Sequence, residues 1–357
     1  MVKESTPRPT ATDASLVGRS ASWHLARPLA PALLGSSGGV QIGRVFSPWS
    51  IAYVAEMLLL GSAGGTREAL AEKLGQGGPG DVSAPCLAAG AGWLDVAARP
   101  SQEFLGACAR RGICVERCRL ADRASGEAIS AWITEHTKGL FRPKVELGAD
   151  ALACLVSAIY FKDAWDVPFD PELTAEGEFR LESGKVTDVQ LMAVSEELAV
   201  VDYPAASVTA RTFASGARMV FALPREGVPV DSLLEGAALE AMEDYLAPRR
   251  RHREMVYLKV PEFDFASSYS GLERELMGGT DCDLTPMVGD RPALLQVVHE
   301  AKVVVNEEGA EAAAYTMAVT LGCAGPREPR EFVLDRPFVF AIVSAEGELL
   351  FMGAVRG

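Results

Sequence analysis

The stretch from Leu152 to Trp165 reads LACLVSAIYFKDAW, and ten residues pass before the first charge. So continuous an apolar run, with β-branched residues in it, does not fit a strand with one wet face. It predicts a strand buried on both sides, in the middle of a sheet. The chain must therefore supply layers that cover that sheet front and back. At 357 residues and 48% hydrophobic content it has the material to do so.

Helices are predicted early and strands late. SPWSIAYVAEMLLLGSAGGTREALAEKLG reads as two helices, the first started by Ser47 and Pro48 and broken by Gly61, Gly64 and Gly65. Thr66 and Glu68 to Leu74 make the second. SGEAISAWITEHTKGLF is another, with Ile129, Trp132, Ile133 and His136 on one stripe. From about Gly177 to Phe221 short strands alternate with turns. LLQVVHEAKVVVNEEG is a long strand, and PFVFAIVSAEGELLFMGAV a β-hairpin around Glu346 and Gly347. This order predicts an α+β fold rather than a βαβ repeat. Residues 1–19 are polar and proline-bearing and are expected to be disordered, and Leu33 to Gly43 is a Gly/Ser-rich loop.

A net charge of −14 argues against a nucleic-acid binder, which needs a basic surface to displace counterions. No apolar run approaches a membrane span, and the N-terminus lacks the apolar core of a signal peptide. Seven cysteines at irregular spacings predict reduced thiols and a cytoplasmic setting, with non-classical export to the outside as the alternative. Cys108, Cys114 and Cys118 lack the second pair that would complete a zinc site, so neither metal nor cofactor is expected. No nucleophile elbow, phosphate loop or dinucleotide fingerprint occurs. Of four histidines, His299 is the one considered with Cys323 as a thiol hydrolase pair, and nothing in the sequence activates that pair. PRRRHR, at Pro248 to Arg253, is the single basic cluster and is read as a solvated loop.

One segment has no evident place in a core. From Ala310 every second residue is small: Ala310, Ala312, Ala314, Thr316, Ala318, Thr320. The other face, Glu311, Ala313, Tyr315, Met317, Val319, Leu321, is larger and mixed. A strand's side chains alternate faces, so this segment presents one face almost without volume. Such a face suits a strand that slides into an existing sheet over a filled core, where a large residue costs typically about 1–3 kcal/mol. An alanine-rich exposed loop is the plain alternative.

From about residue 20 to 357 the chain resembles the serpins. VFSPWSIAYVAEMLLLGSAGGTREAL, LVSAIYFKDAWDVPF, VHEAKVVVNEEGAEAAA and DRPFVFAIVSAEGELLFMGAV look like four of that family's diagnostic stretches, in the right order. The resemblance implies a single domain over 20–357, with three β-sheets, eight or nine helices and an exposed reactive-centre loop at about 307–331. It implies a protease inhibitor, not an enzyme, that works as a suicide trap. A target protease cleaves the loop, and the loop then inserts as a new central strand before the acyl-enzyme is hydrolysed.

Under that resemblance Glu307, Glu308, Gly309 and Ala310, with Glu311, Ala312, Ala313 and Ala314, match the hinge and the small-residue signature of inhibitory members. Ser47, Ser50 and His299 match the polar cluster beneath the opening sheet. Ser157 stands there where the family usually has asparagine. Trp165 matches the tryptophan where the loop enters. Counting from Gly309 places the reactive bond at Cys323–Ala324, with Leu321 and Gly322 as alternatives for the specificity position. Such an anchor suits an elastase- or chymotrypsin-like protease, or a cysteine protease, as covalent partner of a monomer. Cys323 is also a thiol open to oxidation. A carrier or chaperone is the non-inhibitory alternative. As in abbreviated intracellular and viral members, the helix expected after GAGWLDV is largely missing, so no heparin activation is expected. Pro28 and Pro31 are expected to interrupt the first helix.

Overall fold

The computed structural model describes residues 17–36, 43–75, 78–83, 86–278, 282–290, 294–310 and 328–357. Five longer helices lead the chain: α1 (Ala21–Leu34), α2 (Pro48–Leu60), α3 (Gly64–Leu74), α4 (Gln102–Arg110) and α5 (Arg123–His136). Ala238–Leu246, as long as α4, follows, and then the shorter Leu272–Met277 and Thr285–Val288.

Strands run from β1 (Gly43–Phe46), β2 (Cys86–Asp95) and β3 (Cys114–Cys118) to β4 (Ala151–Phe161), β5 (Asp163–Ala164) and β6 (Ala175–Arg180). Next come β7 (Val186–Leu198), β8 (Val201–Asp202), β9 (Ala206–Thr212), β10 (Arg218–Pro224), β11 (Glu254–Pro261) and β12 (Phe263–Ser270). The last are β13 (Leu294–Val305), β14 (Gly309–Ala310), β15 (Arg330–Val333), β16 (Phe338–Val343) and β17 (Leu349–Val355). Three sheets result, ordered β1-β17-β16-β10-β9-β8, β15-β11-β7-β6 and β12-β13-β4-β2-β3, with β14 and β5 as a separate two-stranded pair.

The apolar run of β4 lies where its composition requires, in the middle of the five-stranded sheet with all its residues buried. Its two faces enter different cores. Ala153 and Leu155, then Ile159 and Phe161, pack inward, whereas Cys154, Val156, Ala158 and Tyr160 pack outward beneath Ile129 and Ile133 of α5. β13 pairs with β4 in parallel, with Leu295–Lys302 in unbroken register against Ala153–Tyr160. The two long strands are direct neighbours, so this sheet is closed along its central seam.

Two sequence expectations need correction. α1 does not break at Pro28 or Pro31; both lie inside one continuous helix. Each proline removes one donor from the helical ladder. The helix survives because Trp23, Leu25, Leu29, Leu33 and Leu34 are buried, and packing of such a face outweighs local propensity. A helix also does follow GAGWLDV: α4, capped by the Ser101 side chain and anchored by buried Phe104 and Cys108. The stretch without a helix lies earlier, among the described residues between α3 and β2.

Candidate functional site at the top of the central sheet

The N-terminus of α2 begins at Ser47, whose side chain accepts from the Ser50 backbone N–H at 3.0 Å, as the Ser-Pro start predicts. That turn rests on His299 of β13. The Ser47 backbone N–H donates to His299 Nε2 at 3.0 Å, and Ser157 Oγ of β4 lies 2.8 Å from His299 Nδ1. Because Nε2 accepts, the proton sits on Nδ1, which donates to Ser157. His299 and Ser157 are direct register partners across the β4–β13 seam. His299 is fully buried, and that burial pushes its pKa down to about 3. The four cluster residues are thus brought together, and the imidazole is a neutral bolt across the seam. With both ring nitrogens committed inside the core, His299 cannot serve as base to a loop thiol, which removes the chemical ground for a Cys323–His299 hydrolase.

At the top of the same seam the chain leaves β13 and turns back on itself. Asn306 N–H donates to Gly309 O at 2.9 Å, and Asn306 Oδ1 accepts from the N–H groups of Glu308 and Gly309, each at 3.1 Å. The turn needs Gly309, whose φ is +152°; a Cβ there would lie 2.2 Å from Asp163 O. Gly309 and Ala310 then pair antiparallel with Ala164 and Asp163, directly beyond the end of β4. Ala310 is fully buried.

Trp165 clamps this turn from the β4 side. Its backbone N–H donates to Glu308 O and its indole Nε1 to Asn306 O, both at 2.9 Å. Phe169 N–H donates to Glu307 O at 2.9 Å, and Thr174 Oγ1 donates to Glu307 Oε1 at 2.7 Å. Beneath Trp165 lies Phe213, stacked at 4.3 Å. The buried Arg211 guanidinium sits 4.2 Å from the Phe169 ring and 5.2 Å from Trp165, held by Glu196 at 3.0 Å and Val167 O at 2.7 Å. Asn306, Phe169, Thr174 and Arg211 escaped the sequence reading. Asn306 next to a glycine three residues on was the one local signal; the others come from segments that only the fold brings together.

Of the hinge residues, Glu307, Glu308, Gly309 and Ala310 stand at this site. Glu311, Ala312, Ala313, Ala314, Leu321, Gly322, Cys323 and Ala324 lie outside the described residues. Among the described residues no group of three or more His, Cys, Asp or Glu is placed to hold a metal ion. Cys108 is buried, which pushes its thiol up to about 11, whereas Cys114 is exposed. The basic cluster is largely spent locally. Arg249 and Arg251 bond Asp244, and Arg253 bonds Glu197 O. No helix among the described residues is long and apolar enough to cross a membrane.

Comparison with known proteins agrees with this layout. The family model described as Serpin (serine protease inhibitor) matches residues 86–357. Serpin-ZXA of Oryza sativa subsp. japonica is 30% identical, over 89% of this chain and 91% of its own. Plasminogen activator inhibitor 2 of Homo sapiens is also 30% identical, over 64% of this chain but only 58% of its own length. Human thyroxine-binding globulin, solved in complex with thyroxine, shares the fold with a TM-score of 0.78 at 20% identity, covering 97% of this chain and 98% of that one.

Proposed function

Because this chain belongs to the serpin family, we propose that it is an inhibitory member, a suicide substrate that traps a protease as a covalent acyl-enzyme. The observation that carries the reading is the pairing of Gly309 and Ala310 with β5, at the head of the β4–β13 seam. The first residues of an incoming strand already stand in the line such a strand would follow, antiparallel to the end of β4. The small-faced sequence that continues from Ala310 supports it, because Ala312 and Ala314 would follow Ala310 on the inward face at little packing cost.

In this reading the protease nucleophile attacks the carbonyl of Cys323. The Cys323–Ala324 amide breaks, the amine of Ala324 leaves, and residues up to Cys323 remain esterified to the enzyme. Insertion then replaces one parallel ladder between β4 and β13 with two antiparallel ones. A net gain of roughly ten backbone hydrogen bonds, at about 0.5–1.5 kcal/mol each, is on the order of 5–15 kcal/mol. That is enough to displace the bound enzyme before water completes hydrolysis. An uncharged anchor at Cys323 directs the choice toward elastase- or chymotrypsin-like serine proteases, or cysteine proteases.

The test is incubation with a panel of these enzymes, followed by denaturing gel electrophoresis. A complex that survives SDS with one of them is expected. Cleavage with full release by every enzyme that cuts the loop would leave a carrier or chaperone instead. For the bond itself, mass spectrometry of the released peptide should show Ala324 at its N-terminus, and a peptide beginning at Gly322 would move the specificity position to Leu321.

A further inference from the structure

The core does not use up the large side chains of α2. Trp49, Tyr53 and Met57 lie four residues apart, so they stand one above another along a single face of that helix. Opposite them β2 brings Ala88 and Gly90, and even a Cβ on Gly90 would only just reach Tyr53 Cβ, at 3.9 Å. β3 does not close the gap from the side. It pairs with β2 only over Ala91–Asp95, although β2 is in register with β4 from Cys86 onward. Large rings facing small residues beside an open strand edge leave a cavity of about 440 Å³. That is within the about 300–1,000 Å³ typical of small-molecule sites.

The walls are fixed before anything enters. Trp49 stands edge-on to Tyr53 at 5.0 Å, and its indole Nε1 donates to Gly80 O at 2.9 Å. On the α5 side Trp132 stacks on His136 at 4.0 Å, and His136 Nδ1 donates to Trp132 O at 2.8 Å. Held ring faces and the Met57 thioether favour a flat aromatic guest. The polar groups are few and rich in donors. Ser50, only 3% exposed, lines the cavity, and its Oγ has no partner among the described residues. Arg111, at the turn from α4 into β3, lines it too. Its guanidinium is half exposed, with Nη1 paired to the buried carboxylate of Glu56. Its other donors have no partner among the described residues. A guanidinium presents its donors as a planar fork, which fits an anionic group with two oxygens to offer.

We infer that this cavity is a binding site for a planar aromatic anion, its rings against the α2 stripe and Trp132 and its carboxylate or sulfonate on Arg111. The inference does not rest on the inhibitory reading, because no part of the site belongs to the loop or its hinge.

The probe is anilinonaphthalene sulfonate, titrated by fluorescence into the intact protein, with the exposed Cys114 thiol in the cavity wall as a local reporter. Saturation at one site per chain is expected. The bound probe should protect Cys114, but not Cys118 or Cys282, from alkylation by iodoacetamide, read by mass spectrometry of the labelled peptides. Gly90→Val and Ala88→Phe fill the floor of the cavity, the first at ordinary contact distances. Each should abolish saturation and protection while cooperative unfolding is retained. Arg111→Gln keeps a donor for Glu56 and should weaken the probe by about tenfold. Phenylnaphthylamine, with the same rings and no sulfonate, should bind wild type and Arg111→Gln alike. Absence of saturable binding, or protection of Cys114 that survives both filling variants, overturns the site. Probe affinity unchanged in Arg111→Gln overturns the anion.

Discussion

His299 binds the β4–β13 seam through its register partner Ser157. For His299 the folded pKa of about 3 lies below the ordinary 6.5, so the unfolded chain takes up the proton first and stability falls as pH drops below 6.5. Lowering pH from 7 to 5 should cost about 2 kcal/mol in urea denaturation; a flat profile would mean the imidazole is not held neutral. Ser157→Ala should cost about 1–3 kcal/mol by leaving His299 Nδ1–H buried without an acceptor. At Gly309, alanine puts a Cβ against Asp163 O and Ala164 Cα. Amide exchange at Trp165, whose N–H bonds Glu308 O, should speed up by at least about tenfold in Gly309→Ala.

Among the elements, the β5–β14 pair has consequence out of proportion to its four residues. Ala310 is buried with Phe161, Trp165 and Phe213 in one core. Ala310→Arg would force a long charged side chain into that packed core, at several kcal/mol. Insertion should then fall behind deacylation, and the variant should be cut and released as a substrate; unchanged complex stoichiometry on denaturing gels would contradict insertion through this position. Where an element's cause is local, it was legible in the sequence. The Ser47-Pro48 start of α2, the two-faced burial of β4 and the hairpin of β16 and β17 all follow from their own residues. α1 was misread because its prolines are a local signal, while the packing of Trp23 and Leu29 that overrides them is tertiary. The helix placed as missing after GAGWLDV was misjudged because α4 depends on Phe104 and Cys108 reaching the core. Around the hinge, Glu307 to Ala310 could be read directly. Phe169, Thr174 and Arg211 could not, because they lie on segments that only the fold brings to one turn.

For the whole molecule, the closed β4–β13 seam is the central fact, since a new strand can enter only by parting Leu295–Lys302 from Ala153–Tyr160. Contacts across it, from His299 and Ser157 in the middle to Trp165 and Glu308 at the top, oppose that parting. In the proposed mechanism an inserted strand would replace them with a longer ladder, which would place the native state above a more stable one of the same sequence. The direct measurement is the thermal midpoint before and after a single cut between Ala314 and Cys323. With roughly 5–15 kcal/mol released and an unfolding entropy of about 2.1 cal/mol/K for each of 357 residues, the midpoint should rise by about 7–20 °C. A cut protein that melts where the intact one does would contradict insertion.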